Sequence, residues 1–307
     1  DPITNWIPEL EGKEVIVNDD NGTYRVPAKR PITFRHVLSH TSGVDPARTA
    51  LNDDEVAMLS REATLEETIV KRASLPLNFQ PGDTWQYGSS TDYVALLVER
   101  ISGEPLVDYL QEKIFDPLQM GDTFYNVPRD KIDRVAAVYR PSGANQTIEL
   151  SRAPEYRETT YFGGVAGLSS TISDYWRFSQ MILNGGELDG VRLLSPKTVN
   201  LMISNHSGDA EVYVRGPGYG FGLGFGVLNN AGTSRDPLTP GSFTWGGAWG
   251  TVFWIDPVEE MIGIMMTQIT SYSHLNVRQE LGVTAMQAII DSNSNKPFSV
   301  MGYQTLD

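Results

Sequence analysis

Apolar residues recur at Tyr93, Val94, Leu97, Val98 and Ile101, the three-to-four spacing that lays one stripe along a helix. Ser89-Ser90-Thr91 offers caps at its start and Gly103 a stop, and Pro105 opens a further helix through Phe115. Upstream, residues 63–74 carry a helical pattern, and Phe34 to Leu38 form a short helix with Thr33 as its cap. Val15-Ile16-Val17 and Tyr24-Arg25-Val26 flank Asn21-Gly22, which predicts a small hairpin. Residues 122–160 show no period and read as irregular, and a helix is predicted from Ser173 to Asn184, stopped by Gly185-Gly186. After about residue 215 the period shortens toward that of strands. Tyr219 to Leu228 alternates with glycine as one close-packed strand, and strand-like runs follow at 242–246, 250–255 and 260–268. Leu275 to Ile290 closes the pattern as a helix.

Helices and loops first, then antiparallel strands with one helix, predict an α+β fold. The division is 1–215, a mostly helical subdomain with a small hairpin and loops, and 216–307, an antiparallel sheet with a C-terminal helix. Together they make one catalytic unit, with the site between them. The 307 residues suffice for one large domain or two packed ones. Asp and Glu number 38 against 24 Lys and Arg, giving a net charge of −14. Such a surface repels phosphate backbones and anionic lipid, so nucleic acid and membrane surfaces are poor partners. Without cysteine there is no disulfide and no thiol nucleophile. No apolar run approaches the roughly 18 residues of a membrane span. Position 1 is Asp rather than Met, which reads as a processed or trimmed start, and the compartment stays open.

Several routes to chemistry are absent. There is no G-x-S-x-G nucleophile elbow, no H-E-x-x-H and no P-loop. His36 and His40 are four apart, as two metal ligands on one helix face can be, but no third ligand is evident. No metal and no cofactor is predicted. Ser42 lies near His40, yet no base and orienter accompany it as a nucleophile needs.

Ile32-Thr33-Phe34-Arg35-His36-Val37-Leu38-Ser39-His40-Thr41-Ser42-Gly43 resembles the I-T-x-R-x-L-L-x-H-T-S-G stretch of the serine β-lactamase and penicillin-binding-protein family, class C branch. Tyr87-Gly88-Ser89 resembles its second motif, Tyr-x-Asn, and Gly164 to Phe178 its glycine-rich turn and T-x-x-D-x-x-R-F helix. Leu193-Leu194-Ser195-Pro196 fits the following segment. Trp245-Gly246-Gly247 falls where Lys-Thr-Gly or His-x-Gly belongs and is similar to family VIII carboxylesterases. The likeness runs in register over nearly the whole chain.

The resemblance implies serine-dependent hydrolysis or acyl transfer of a small-molecule ester or amide through an acyl-enzyme. In that chemistry a Ser-x-x-Lys helix supplies nucleophile and cation, and the second-motif tyrosine, here Tyr87, shares the proton transfers. The backbone N–H of Ala248 is one oxyanion donor, with bare glycine backbone at Gly246 and Gly247 beside the acyl group. Ser89 replaces an asparagine. It either contacts lysine or substrate, or caps the following helix. Trp245 replaces the cationic side chain that helps hold a β-lactam carboxylate, which favours neutral esters. Its alternative is a strand aromatic in the core. β-Lactamase and D-amino-acid peptidase are the enzymatic rivals, and a non-catalytic binding or scaffold relative is the rival of another class.

None of the lysines at 13, 29, 71, 113, 131, 197 and 296 has serine three residues before it. Thr68 and Lys71 give T-x-x-K, read as a solvated helix face. Asp1 to Leu10 resembles the D-D-P-V-x-x-Y-L-P-E-F stretch that follows the family's Ser-x-x-Lys helix, so the nucleophile, its helix and the first strands are expected upstream. Truncation, a separate N-terminal polypeptide and natural loss of the serine each account for this. The tail from Asn295 to Asp307 has no family counterpart.

Overall fold

The computed structural model describes residues 1–20, 22–142, 147–270 and 275–293. Strands β1 (Glu14–Asp19) and β2 (Gly22–Pro27) pair antiparallel, from Glu14 opposite Pro27 to Asp19 opposite Gly22. The predicted turn residue Asn21 lies outside the described residues. Of the two strands only β1 has buried residues, the consecutive Val15 and Ile16, and the Ile16 amide donates to the Leu77 carbonyl at 2.8 Å.

Local capping sets the next helices. In α1 (Phe34–Leu38), Thr33 accepts the His36 amide, and His36 Nδ1 accepts the Thr33 amide in return. Helix α2 (Asp53–Ala57) has the same box between Asn52 and Glu55, and α3 (Leu65–Arg72) between Thr64 and Glu67. Helix α4 (Ser90–Ser102) ends on Gly103 at φ 76°, the left-handed conformation glycine adopts without steric cost. Helix α5 (Leu106–Leu110) runs into a π-helical turn, Gln111–Phe115. The buried faces of α3 and α4 (Leu65, Ile69, Tyr93, Leu96 and Leu97) join Ile3, Ile7 and Val37 in one core. Each such side chain contributes about 1.5–3 kcal/mol by leaving water.

The 122–160 segment is more ordered than its pattern predicts. It holds a 3₁₀ stretch, Arg129–Arg134, and a hairpin of β3 (Val138–Ser142) and β4 (Thr147–Arg152). Pro141 argues against a strand in sequence, but in a two-stranded ribbon both strands are edges and tolerate it. Helix α6 (Ile172–Leu183) starts one residue earlier than predicted, on a Thr171 cap. A short ribbon, β5 (Glu187–Leu188) with β6 (Val191–Arg192), leads to α7 (Pro196–Met202), capped by Ser195.

The main sheet is an antiparallel meander of β7 (Tyr219–Phe221), β8 (Gly226–Leu228), β9 (Phe243–Gly246), β10 (Val252–Asp256) and β11 (Met261–Met265), neighbours in chain order. The single strand predicted over 219–228 is therefore two. Gly222 donates to the Phe225 carbonyl at 2.7 Å, and Gly224 at φ 101° allows the reversal. Helix α8 (Val277–Gln287) follows, and residue 294 onward lies outside the described residues.

Alternation along the strands gives the sheet two apolar faces. Val227, Phe243, Phe253 and Ile255 pack with Met181 and Ile182 of α6 and Val199 of α7. Tyr219, Phe221, Leu228 and Trp254 pack with Leu281, Ala285 and Met286 of α8. The chain is thus the predicted α+β combination of an antiparallel sheet flanked by helices with a helical body. The first sheet core draws α6 and α7 from before residue 215, so packing crosses the boundary read from sequence.

Candidate active site

The chain leaves α1 through a turn whose conformations are special. His40 is left-handed at φ 57° and Gly43 at φ 77°. A Cβ on Gly43 would stand 2.6 Å from the Phe79 carbonyl oxygen, so the position requires glycine. This turn carries the 78–90 segment: Asn78 donates to Gly43, Gly82 to Thr41 and Gln86 to His40, at 2.7–2.9 Å. Ser42 is buried, and its hydroxyl meets that of Ser90 at 2.8 Å. The H-T-S-G stretch thereby fixes the start of α4.

His36 spends Nδ1 on its own cap, and His40 lies beyond the helix. The His40 ring is buried among Trp85, Tyr87 and Phe221, with centroids 5.0–6.0 Å away. Burial pushes its imidazole down to about 4, so it is neutral near pH 7. Among the described residues no group of three His, Cys, Asp or Glu gathers as a metal site.

Tyr87 emerges from this buried footing 38% exposed. Its ring lies nearly parallel to that of Trp85, at 6.3 Å and 15°, and 5.1 Å from Trp245. The Trp245 indole N–H donates to the Tyr87 hydroxyl at 3.4 Å, so second and third motifs meet directly. The Tyr87 amide donates to the Tyr213 hydroxyl at 3.3 Å. Trp245 is half-buried and also meets Phe221 edge to face at 5.1 Å.

Ser89 turns elsewhere. Its hydroxyl and its amide both donate to the Asp45 carboxylate, at 2.6 and 2.7 Å. It occupies the N-cap position of α4 but makes no capping bond, so the capping alternative does not hold. Burial raises the Asp45 pKa, while the Ser89 bonds oppose that rise. Gly88 is needed because a Cβ there would sit 2.1 Å from an Asp45 oxygen.

On the sheet side, β9 ends at Gly246. The Gly247 amide donates to the Thr251 carbonyl at 3.0 Å and hydroxyl at 3.1 Å, and the Arg278 guanidinium donates to the Gly247 carbonyl. A Cβ on Gly247 would stand 2.4 Å from the Thr251 hydroxyl. Ala248 is exposed at the crown of this turn, and its N–H has no acceptor among the described residues. Such a donor can receive a developing oxyanion.

One further sequence expectation holds for Lys71 but not for Thr68. Thr68 is fully buried, not solvated, and its hydroxyl donates to the Thr64 carbonyl at 2.9 Å. Lys71 pairs with Glu62 and Ser60 at the surface. Asp45, Trp85, Tyr213 and Arg278 escaped sequence reasoning. Only Asp45 had a signal, standing two residues beyond Gly43, just past the H-T-S-G segment.

Residues 1–281 match the family model described as Beta-lactamase, and the chain belongs to that family. It is 33% identical over 282 residues to Protein Rv1367c of Mycobacterium tuberculosis, covering 87% of this chain and 70% of the relative. It is 30% identical over 295 residues to the lovastatin esterase of Penicillium rubens, covering 85% and 71%. Among solved structures it is similar to EstCE1, a hydrolase with promiscuous acyltransferase activity, at a TM-score of 0.74 and 23% identity, covering 92% and 76%.

Proposed function

We propose that the protein is a serine hydrolase of carboxylic esters that works through an acyl-enzyme. Tyr87 is its proton-transferring residue and the Ala248 N–H one of its oxyanion donors. The observation that carries this reading is the 3.4 Å bond from the Trp245 indole to the Tyr87 hydroxyl. An indole N–H only donates, so it supports the phenol oxygen as an acceptor or as a phenolate. It also stands where the family's third motif carries a cation, which leaves that position without charge for a β-lactam carboxylate. The esterase relatives agree with this preference.

In the reaction a serine hydroxyl attacks the ester carbonyl and gives its proton to Tyr87, which acts as the phenolate and becomes the neutral phenol. The carbonyl oxygen gathers negative charge against the Ala248 N–H. Tyr87 then returns the proton to the departing alcohol, and water releases the acid by the reverse path. Residues 1–307 hold no Ser-x-x-Lys, so this reading takes nucleophile and lysine from a segment outside them.

The test is hydrolysis of p-nitrophenyl butyrate and of a cephalosporin by the protein with that segment present. The ester should be preferred in kcat/KM by about tenfold or more, the scale of one lost charged hydrogen bond. Tyr87→Phe should lower ester turnover by roughly 10²–10⁴. A cephalosporin preference defeats the ester reading, and undiminished turnover by Tyr87→Phe removes Tyr87 from the mechanism.

A further inference from the structure

Tyr213 belongs to none of the motifs. It stands in the loop between α7 and β7 and is 55% exposed. Its hydroxyl holds the Tyr87 amide at 3.3 Å, which places the loop against the second motif. The two tyrosines share one neighbour, the buried Trp85. Tyr87 lies nearly parallel to that indole at 15°, whereas Tyr213 stands steeply on it at 72°, with centroids 5.1 Å apart. Trp245 is also steep to Trp85, at 69° and 6.4 Å. The result is a corner of rings: Trp85 beneath, Tyr87 flat, Tyr213 and Trp245 upright.

Large aromatic surface left open to water beside a site is characteristic of ligand contact rather than packing. Ring faces and edges of this kind receive another flat ring in offset or edge-to-face contact. Tyr87 also fixes which part of the substrate lies here. A residue that hands a proton to the leaving oxygen must sit beside the group bonded to that oxygen.

We propose that Tyr213 is a specificity-determining residue, its ring forming the upright wall of a slot for the alcohol portion of the ester, and that esters of benzyl-type alcohols are the preferred class. This rests on the assignment of Tyr87 as the proton-transferring residue. Tyr213 takes no part in the proton transfers. Its contribution is to KM, by burying one face of the substrate's ring.

The experiment compares benzyl acetate with ethyl acetate, followed by pH-stat, in the protein with its Ser-x-x-Lys segment present. Wild type should favour benzyl acetate. Tyr213→Ala should lower kcat/KM for benzyl acetate roughly tenfold more than for ethyl acetate, with the excess loss in KM. Tyr213→Phe keeps the ring, loses the hydroxyl and should keep the benzyl preference. Equal losses on both esters for Tyr213→Ala would mean that Tyr213 only supports Tyr87, and would overturn the proposal, as would no loss on either. If wild type hydrolyses neither ester, the hydrolase reading fails on its own. The slot is then read from benzyl alcohol binding by calorimetry, where Tyr213→Ala should raise Kd roughly tenfold. An unchanged Kd would overturn it.

Discussion

The Tyr87 wall and the Trp245 wall of the candidate site are held by different physics. On the helical side the support is polar and half-buried to buried: Asp45 binds Ser89 twice, Ser42 binds Ser90, and a neutral His40 lies under the Tyr87 ring. On the sheet side it is backbone geometry: strand pairing of β9 with β10, two glycines pressed on Thr251, and the Arg278 guanidinium on the Gly247 carbonyl. The first arrangement is rigid only while each buried polar group keeps its partner. The second tolerates changes of side chain but not added bulk. Tyr87, proposed for proton transfer, thus sits on the wall sensitive to charge, and Ala248, proposed as an oxyanion donor, on the wall sensitive to shape.

Removing the Asp45 carboxylate sharpens that contrast most. Asp45→Ala leaves the Ser89 amide and hydroxyl without their acceptor, and should cost about 2–4 kcal/mol in urea unfolding. It should also lower ester turnover by loosening Tyr87. A loss below about 0.5 kcal/mol, the scale of an ordinary surface change, would show that the polar support is dispensable.

His40 tests the same wall through pH. Its folded pKa, about 4, lies below the ordinary 6.5, so the neutral ring is favoured in the fold. That stability is complete above pH 6.5 and is lost as pH falls from there through 4, by up to about 3 kcal/mol. Asp45 works the other way, since its raised pKa favours the folded state as its carboxyl protonates. The difference between wild type and His40→Asn cancels the Asp45 contribution, and asparagine accepts the left-handed backbone. Their stability difference, from urea melts, should shift by that amount between pH 7 and 4. A constant difference would mean that His40 is not neutral and buried in solution.

The smallest expected effect lies on the other wall. Trp245→Phe keeps a ring and removes the N–H. A bond of 3.4 Å is long, so kcat should fall only about two- to fivefold, with a stability loss of about 1 kcal/mol from the smaller ring. A loss near that of Tyr87→Phe would make Trp245 part of the proton-transfer machinery and erase the distinction between the walls.

Several elements were legible because their causes are local. The α1 cap and the Gly103 stop follow from neighbours within a turn or two, whereas the α4 stripe was right at Tyr93 and Leu97 but ran past the buried face: Leu96 is buried and Ile101 is 52% exposed. The glycine pattern 219–228 misled because glycine fits a close-packed strand and a tight turn equally. Only the Gly222–Phe225 bond decides between them. The 138–152 hairpin escaped because two exposed edge strands need no alternation of apolar residues.

Sequence alone determined the family and the α+β architecture, and by resemblance it placed Tyr87 and Trp245-Gly246-Gly247 in one expected site, because spacing and residue type carry that information along one dimension. Tertiary structure decided which side chains those motifs lean on. Ser89 faces Asp45 instead of capping its helix, and Tyr213 reaches Tyr87 from a loop without any period. Such contacts join residues 44 and 126 positions apart, and their energy comes from burial and hydrogen-bond geometry that exist only once the chain has closed on itself.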